Sequence, residues 1–200
     1  MRGRSTRALG SMSEAVLEPD YAGFWPRLGA MLIDFLIWLP VVPPSIWAEH
    51  RYRLFDLYRF VPLLVLSALY SIFLVARFGG TPGKLLMGLR ITQLDGRPVT
   101  TTAAILRHLP ELMLSALSTF ALCLPLLAMS DAQYLEITSS MSNRMHYLRS
   151  HAPGWYGAVD ILGQIWVWGE FIVLLTNRKR RALHDFIAGT VVIRARRHGA

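Results

Sequence analysis

The sequence predicts an all-α membrane protein with four transmembrane helices, and two observations carry this prediction. Of the 200 residues, 53% are hydrophobic, and the mean hydropathy of +0.36 is too apolar for an ordinary soluble domain. Four segments also approach the roughly 20 predominantly apolar residues that a helix needs to cross a bilayer. The single cysteine, Cys123, lies in one of them and excludes an intrachain disulfide.

The four predicted spans cover residues 25–42, 60–78, 110–129 and 155–176. Pro40, Pro43 and Pro44 predict that the first helix unwinds at its far end. Residues 1–20 contain no apolar core of signal-peptide length, so we predict a disordered cytoplasmic tail there. Residues 195–200 are predicted to be a basic C-terminal tail that follows a membrane domain of residues 21–194.

The distribution of positive charge predicts the orientation of the spans. Sixteen of the 21 Lys and Arg residues lie near the two termini or between spans two and three. Because cytoplasmic loops are enriched in Lys and Arg, both termini and the middle loop are predicted to be cytoplasmic. This placement also accounts for the net charge of +8 without a nucleic-acid partner, and it predicts contact with anionic lipid at the basic face.

The cytoplasmic segments predict a small β-structure. Asp95-Gly96 lies between short β-prone runs, which is a strong signal for a tight hairpin. We expect Leu89 to Gln93 to pair in addition with Val191 to Ile193. Thr100 to Thr102 are expected to cap a helix that leads into span three, and a short helix after span four is expected to end at Gly189.

Charged residues inside the spans are the candidate functional residues. Asp34 has apolar neighbours on both sides and needs a proton, a cation or a donor from another helix. Glu170 lies at a comparable depth in span four. Arg27 is expected to extend to the headgroups, and Arg107 and Glu111 are expected to pair at i, i+4. A purely structural role, in which hydrogen bonds of Asp34 orient the helices, remains open.

Other motifs give weaker signals. The stretch GGTPGKL lacks the Ser or Thr that follows Lys in a P-loop, so it is interpreted as a tight turn with Lys84 near anionic lipid. No nucleophile with a recognisable base and no metal-ligand pattern stands out. We therefore expect neither an enzyme nor a bound metal or cofactor.

Three ordered blocks resemble the RDD family of bacterial membrane proteins, which is named for one Arg and two Asp. GFWPRLGAMLIDFLI supplies Arg27 and Asp34, GGTPGKLLMGLRITQLDGRPVT follows, and RRALHDFIAGTVVIR supplies Asp185. The resemblance implies a multi-pass protein of the bacterial inner membrane, for which transport has been proposed and some members look like sodium/proton exchangers. It also implies that Asp185 pairs with a basic residue, with Lys84, Arg90 and Arg27 as the alternatives.

These observations together predict a small transporter or cation/proton exchanger. Asp34 and Glu170 would bind H⁺ or a small monovalent cation, and a homo- or hetero-oligomer is expected because four helices enclose little volume. A gating or structural polar network would comprise Arg27, Asp185, Arg107, Glu111 and Lys84. The alternative is a non-transport scaffold that docks a partner.

Overall fold

The computed structural model describes residues 20–138 and 140–195, and it is mostly helical. The predicted tails lie outside these residues except for Asp20 and Ala195. The helices are α1 (Phe24–Arg51), α2 (Phe55–Phe78), α3 (Pro82–Leu86), α4 (Thr101–Ala128), α5 (Asp131–Ile137), α6 (Met141–Ser150), α7 (Tyr156–Thr176) and α8 (Leu183–Ile187). Of these, α1, α2, α4 and α7 are long and apolar enough to cross a membrane.

Helix α1 continues beyond its prolines, so the predicted unwinding of its far end is limited to one 3₁₀ turn at Pro40. An α-helical part (Phe24–Trp38) is followed by a 3₁₀ turn (Leu39–Val41) and a second α-helical part (Val42–Arg51). The prolines lie at the first positions of the two later parts, where a missing N–H costs little.

Helix α4 begins well before the predicted start of span three. Thr100 Oγ1 accepts a hydrogen bond from the backbone N–H of Ala103 at 3.2 Å, which confirms the predicted cap. The helix then runs without interruption through Pro110 and Pro125 to Ala128. The cytoplasmic helix expected before span three is therefore the first part of α4 itself.

Helix α2 contains a π-helical turn at Leu69–Phe73. Such turns are rare and occur often at functional sites, because one extra residue per turn redirects the side chains. Here the π-helical turn includes Tyr70 and Ser71, which both line the cavity described below.

A two-stranded sheet packs at the start of α4. Strand β1 (Leu89–Gln93) pairs antiparallel with β2 (Thr190–Arg194), with Ile91 opposite Val192, which confirms the predicted pairing. The predicted hairpin is only partly right, because the run after Gly96 makes one isolated bridge between Thr92 and Pro98. We call this end of the bundle the sheet end, and the opposite end, with α5 and α6, the loop end.

Candidate functional site

Asp185, at the start of α8, is a fully buried centre of ion pairing at the sheet end. Its Oδ2 lies 2.8 Å from Arg27 Nη1, and its Oδ1 forms an ion pair with Arg107 Nη1. Thr190 Oγ1 and the backbone N–H of Ala182 also donate to it, at 3.1 and 3.0 Å. Burial alone would raise the pKa of Asp185, but the positive charges of Arg107 and Arg27 outweigh it and hold the pKa below its usual range.

Arg27 turns into the protein, so its predicted extension to the headgroups is wrong. Besides Asp185, it donates from Nε to the Ala22 carbonyl at 3.2 Å and from Nη2 to the Arg180 carbonyl at 2.6 Å. Arg180 adopts a left-handed φ of 49°, a conformation that costs energy for a residue with a side chain. Arg27 thus ties α1 to the segment between α7 and α8.

Asp34 holds the short helix α3 against α1. Its Oδ1 accepts from Tyr70 Oη at 2.6 Å and from the backbone N–H of Gly83 at 2.7 Å, and its Oδ2 accepts from Thr81 Oγ1 at 2.6 Å. Gly83 is essential for this approach, since a Cβ there would lie 2.1 Å from the Ala30 carbonyl oxygen. All three donors are neutral, so the charge of Asp34 has hydrogen bonds but no ion-pair partner among the described side chains.

Glu170 holds the other short helix, α8, in a similar way. Its Oε1 accepts from the backbone N–H of His184 at 2.9 Å, and its Oε2 lies 2.6 Å from His184 Nδ1. Burial and the nearby Arg107 lower the pKa of His184, so the ring is neutral near pH 7 and Nδ1–H donates to Glu170. Asp34 and Glu170 therefore each fix one short helix of the sheet end.

A cavity of about 360 Å³ lies between the four spanning helices and the short helices α3 and α8. We call it the sheet-end cavity. Its walls combine aromatic side chains with three acids and three bases: Asp34, Glu111, Glu170, Arg27, Lys84 and Arg107. Asp34 thus lies in the wall of a partly open cavity between the helices, and polar atoms from α2 and α3 contact its carboxylate.

Three titratable side chains of this cavity lack a protein partner among the described residues. His108 Nε2 is buried without a hydrogen bond. Lys84 Nζ and the Glu111 carboxylate also make no hydrogen bond or ion pair to another described residue. The predicted pair of Arg107 with Glu111 is therefore wrong, because Arg107 bonds to Asp185 and Thr190 instead.

Lys84 lies in the cavity wall, where it is half-buried. Burial and the repulsion of Arg107 outweigh the attraction of Asp34 and lower the pKa of Lys84 from 10.5 to about 8. Its amine therefore changes charge close to physiological pH.

A second buried charge cluster, at the loop end, was missed from the sequence. Glu49 and Asp56 each contact both Arg59 and Arg144, which closes a ring of four ion pairs. Arg144 Nη1 lies 2.9 Å from Glu49 Oε2, and Arg59 Nη2 lies 2.7 Å from Asp56 Oδ1. Only the i, i+3 spacing of Asp56 and Arg59 is visible in the sequence, because Glu49 and Arg144 come from distant segments.

Tyr70, Thr81 and Gly83 were also missed as partners of Asp34. The pair Thr81-Pro82 is a signal for a helix N-terminus, with Thr as cap and Pro at the first position. The GGTPGKL stretch was interpreted as a turn, whereas Pro82–Leu86 forms helix α3.

A family model described as the RDD family matches residues 21–189. The chain belongs to the RDD family. No curated protein and no solved structure gives a match to it. In this RDD protein, Arg27 and Asp185 form one ion pair, as the resemblance implied, whereas Asp34 binds α3 at a separate place.

The ligand roles predicted for Asp34 and Glu170 stay predictions. Asp34 uses three of about four acceptor positions of a carboxylate, which leaves one on Oδ2. No cluster of three or more His, Cys, Asp or Glu side chains able to hold a metal occurs in residues 20–138 and 140–195.

Proposed function

We propose that this RDD protein is a small membrane transporter that exchanges protons or a small monovalent cation through the sheet-end cavity. The observation that carries the proposal is the contrast between occupied and free groups in one cavity. Asp34, Glu170 and Asp185 accept hydrogen bonds from the protein, whereas Lys84, His108 and Glu111 have none to the rest of the described chain. Glu111 is exposed and Lys84 is half-buried, so both are accessible from the cavity, and titratable groups that the chain leaves without partners are candidates for binding a ligand.

The charges around the cavity favour a ligand with one positive charge. The three acids of its walls, together with Asp185, oppose Arg27, Arg107 and a protonated Lys84. With His184 neutral, these four acids and three bases leave a deficit of one positive charge. An uncompensated charge in a low-dielectric site is costly, so one proton or one monovalent cation stabilises this arrangement.

Within this proposal, Glu111 is the carboxylate that exchanges the proton or binds the cation. Asp34 and Glu170 hold α3 and α8 through their hydrogen bonds, and Asp34 contributes its remaining acceptor position. Lys84 supplies a second titratable charge with a pKa of about 8.

The setting of the transporter belongs to the same proposal. We place the sheet end in the cytoplasm of a bacterium and the four helices in its inner membrane, in line with the distribution of Lys and Arg. The basic sheet end then faces anionic lipid. A homo- or hetero-oligomer would enlarge the enclosed volume.

The test is reconstitution of the purified protein into liposomes with imposed pH, Na⁺, K⁺ or Li⁺ gradients and a pH-sensitive dye inside. We expect wild type to move protons and Glu111→Gln to lower the rate by about tenfold or more, with an unchanged melting temperature. The matched control is Glu136→Gln on α5, an exposed acid outside the cavity, which should transport like wild type. Wild-type flux no faster than that of empty liposomes would overturn the proposal.

One observation favours the alternative function, a non-transport scaffold. Asp34, Asp185 and Glu170 all bond to protein groups that join separate elements, which is what a purely structural network does. The scaffold predicts no flux in wild type, and it predicts that Asp34→Asn lowers thermal stability and recovery of a bound partner. Flux in wild type therefore distinguishes the two functions.

A further inference from the structure

The seam between α2 and α4 carries polar side chains at helical spacing. On α4, Glu111, Ser115 and Thr119 follow one another at i, i+4, and on α2, Ser67 and Ser71 do the same. All five line cavities between these two helices. Because apolar side chains are the default in a membrane span, a polar row of this kind needs water or a partner.

Two smaller cavities continue the sheet-end cavity along this seam. A middle chamber of about 50 Å³ shares Ser71, His108 and Glu111 with the sheet-end cavity. A groove of about 260 Å³ shares Ser67 and Ser115 with the middle chamber. Cavities with common wall residues are neighbours, so the three form one row.

The far end of the groove reaches the loop-end ion-pair ring. Its walls include Asp56 and Arg59, two of the four members of that ring. From residue 56 to residue 71 the helix rises by about 22 Å at about 1.5 Å per residue. This is most of the roughly 30 Å of a bilayer's hydrocarbon core, so the row spans most of the membrane.

The width of the row limits what can pass. A site for one water needs about 10–15 Å³ of cavity volume, so the middle chamber of about 50 Å³ has room for only a few waters. A serine or threonine hydroxyl can accept one hydrogen bond and donate another, and in this structure the Ser115 hydroxyl donates to the Leu112 carbonyl at 3.1 Å and keeps its acceptor positions for water. His108 Nε2, in the wall of the middle chamber, is a buried atom with no partner in the described chain, and a water there would satisfy it.

We propose that this seam is a water-filled proton path between the sheet-end cavity and the loop end, with the middle chamber as its constriction. Each water or hydroxyl takes up one proton and releases another to its neighbour, and Glu111 takes up and releases one at the junction. No covalent product remains after a transfer. The inference rests on the proposed exchange function. It adds that protons are the transported species and that they move along the seam.

The first experiment measures whether water reaches the seam, independently of transport. In a Cys123→Ala background, Ser115→Cys and Ser118→Cys proteins are reconstituted and treated with a charged, membrane-impermeant thiol reagent. Ser118 lies one turn away on the same helix, outside the walls of the three cavities. We expect the thiol introduced at 115 to react about tenfold faster or more than the one at 118.

The second experiment narrows the constriction. Ser115→Leu should lower proton flux by about tenfold or more, whereas Ser118→Leu should stay within about twofold of wild type. Melting temperatures of both variants show whether they fold. If Ser115→Leu does not fold, the reaction rates of the introduced thiols alone test the path.

The outcomes separate the path from the exchange function. An inert thiol at 115, together with unchanged flux in Ser115→Leu, would overturn the path and leave the exchange function standing. A reactive thiol at 115 without flux in wild type would support the water-filled seam and remove the exchange function.

Discussion

The two ends of the bundle both bury charged residues, but they balance them differently. At the loop end, two acids and two arginines form a closed ring in which every member has two partners. At the sheet end, Asp185 alone joins two arginines, and three titratable groups of the adjacent cavity are left without partners in the described chain. Every charge of the loop-end ring is paired within the chain, although Asp56 Oδ1 and Arg144 Nε make no hydrogen bond, whereas three titratable side chains at the sheet end have neither an ion pair nor a hydrogen bond within the described chain.

This difference shows that buried charge by itself does not identify a functional site. The ring joins α1, α2 and α6 and has equal numbers of acids and bases, so its role is accounted for by packing. The walls of the sheet-end cavity hold three acids and three bases, and counting Asp185 beside them gives four acids against three bases, which is the imbalance on which the proposed binding of a singly charged ligand rests. The comparison predicts that the two ends respond differently to the loss of one acid.

The largest expected effect is the loss of the sheet-end ion-pair centre. Asp185→Asn leaves Arg27 and Arg107 buried without a carboxylate, and breaking a buried pair in this way costs about 3–5 kcal/mol of unfolding free energy. Glu49→Gln is the matched loop-end variant, and its two arginines keep Asp56, so we expect about 1–3 kcal/mol. Denaturant unfolding in detergent micelles measures both values.

Equal losses in the two variants would contradict the distinction between a single centre and a ring. A larger loss in Glu49→Gln would reverse it, and would mean that the loop end holds the bundle together. Either result would remove the structural basis for assigning the ligand to the sheet end.

The next effect in size concerns the contact of α3 with α1. In Gly83→Ala the new Cβ would lie 2.1 Å from the Ala30 carbonyl oxygen and 2.8 Å from Asp34 Oδ1, so α3 must move away. We expect a loss of about 1–3 kcal/mol, as for other overpacked sites. The control is Gly163→Ala on α7, where a Cβ has open space and helix propensity favours alanine by up to about 1 kcal/mol.

Melting temperatures of the two glycine variants check this prediction. If Gly83→Ala is as stable as Gly163→Ala, Gly83 lies farther from Asp34 and the Ala30 carbonyl than the structure shows. The sheet-end cavity would then lack a fixed wall on this side.

The sequence was sufficient for the elements whose signals are local. Apolar length predicted the four spans, and the pairing of Leu89–Gln93 with β2 followed from short β-prone runs on one membrane face. It was insufficient for Arg107, because an i, i+4 neighbour is visible in a sequence and a partner 78 residues away is not. The loop-end ring was missed for the same reason, since Arg144 and Glu49 meet only through the packing of α1 and α6.

The smallest expected effect is a dependence of stability on pH that belongs to the sheet end. The pKa of Lys84 is about 8 in the folded protein and 10.5 ordinarily, so the unfolded chain binds more protons between these values. The melting temperature should therefore rise with pH from about 8 to about 10.5, and the rise should be smaller in Lys84→Met. Because the amine is half-buried and partly solvated, we expect Lys84 to change the free energy of unfolding by about 1 kcal/mol or less over this pH range.

Lys179, the other lysine of the chain, provides the control, because it is exposed and lies outside the cavity. Lys179→Met should keep the wild-type rise, since other groups that titrate in this range are unchanged in both variants. A rise of the same size in Lys84→Met would mean that the amine reaches open water. The charge count that favours a singly charged ligand includes Lys84 as part of the cavity wall. That result would therefore remove one of the observations that support a ligand at the sheet end. It would not change the structural role of the loop-end ring.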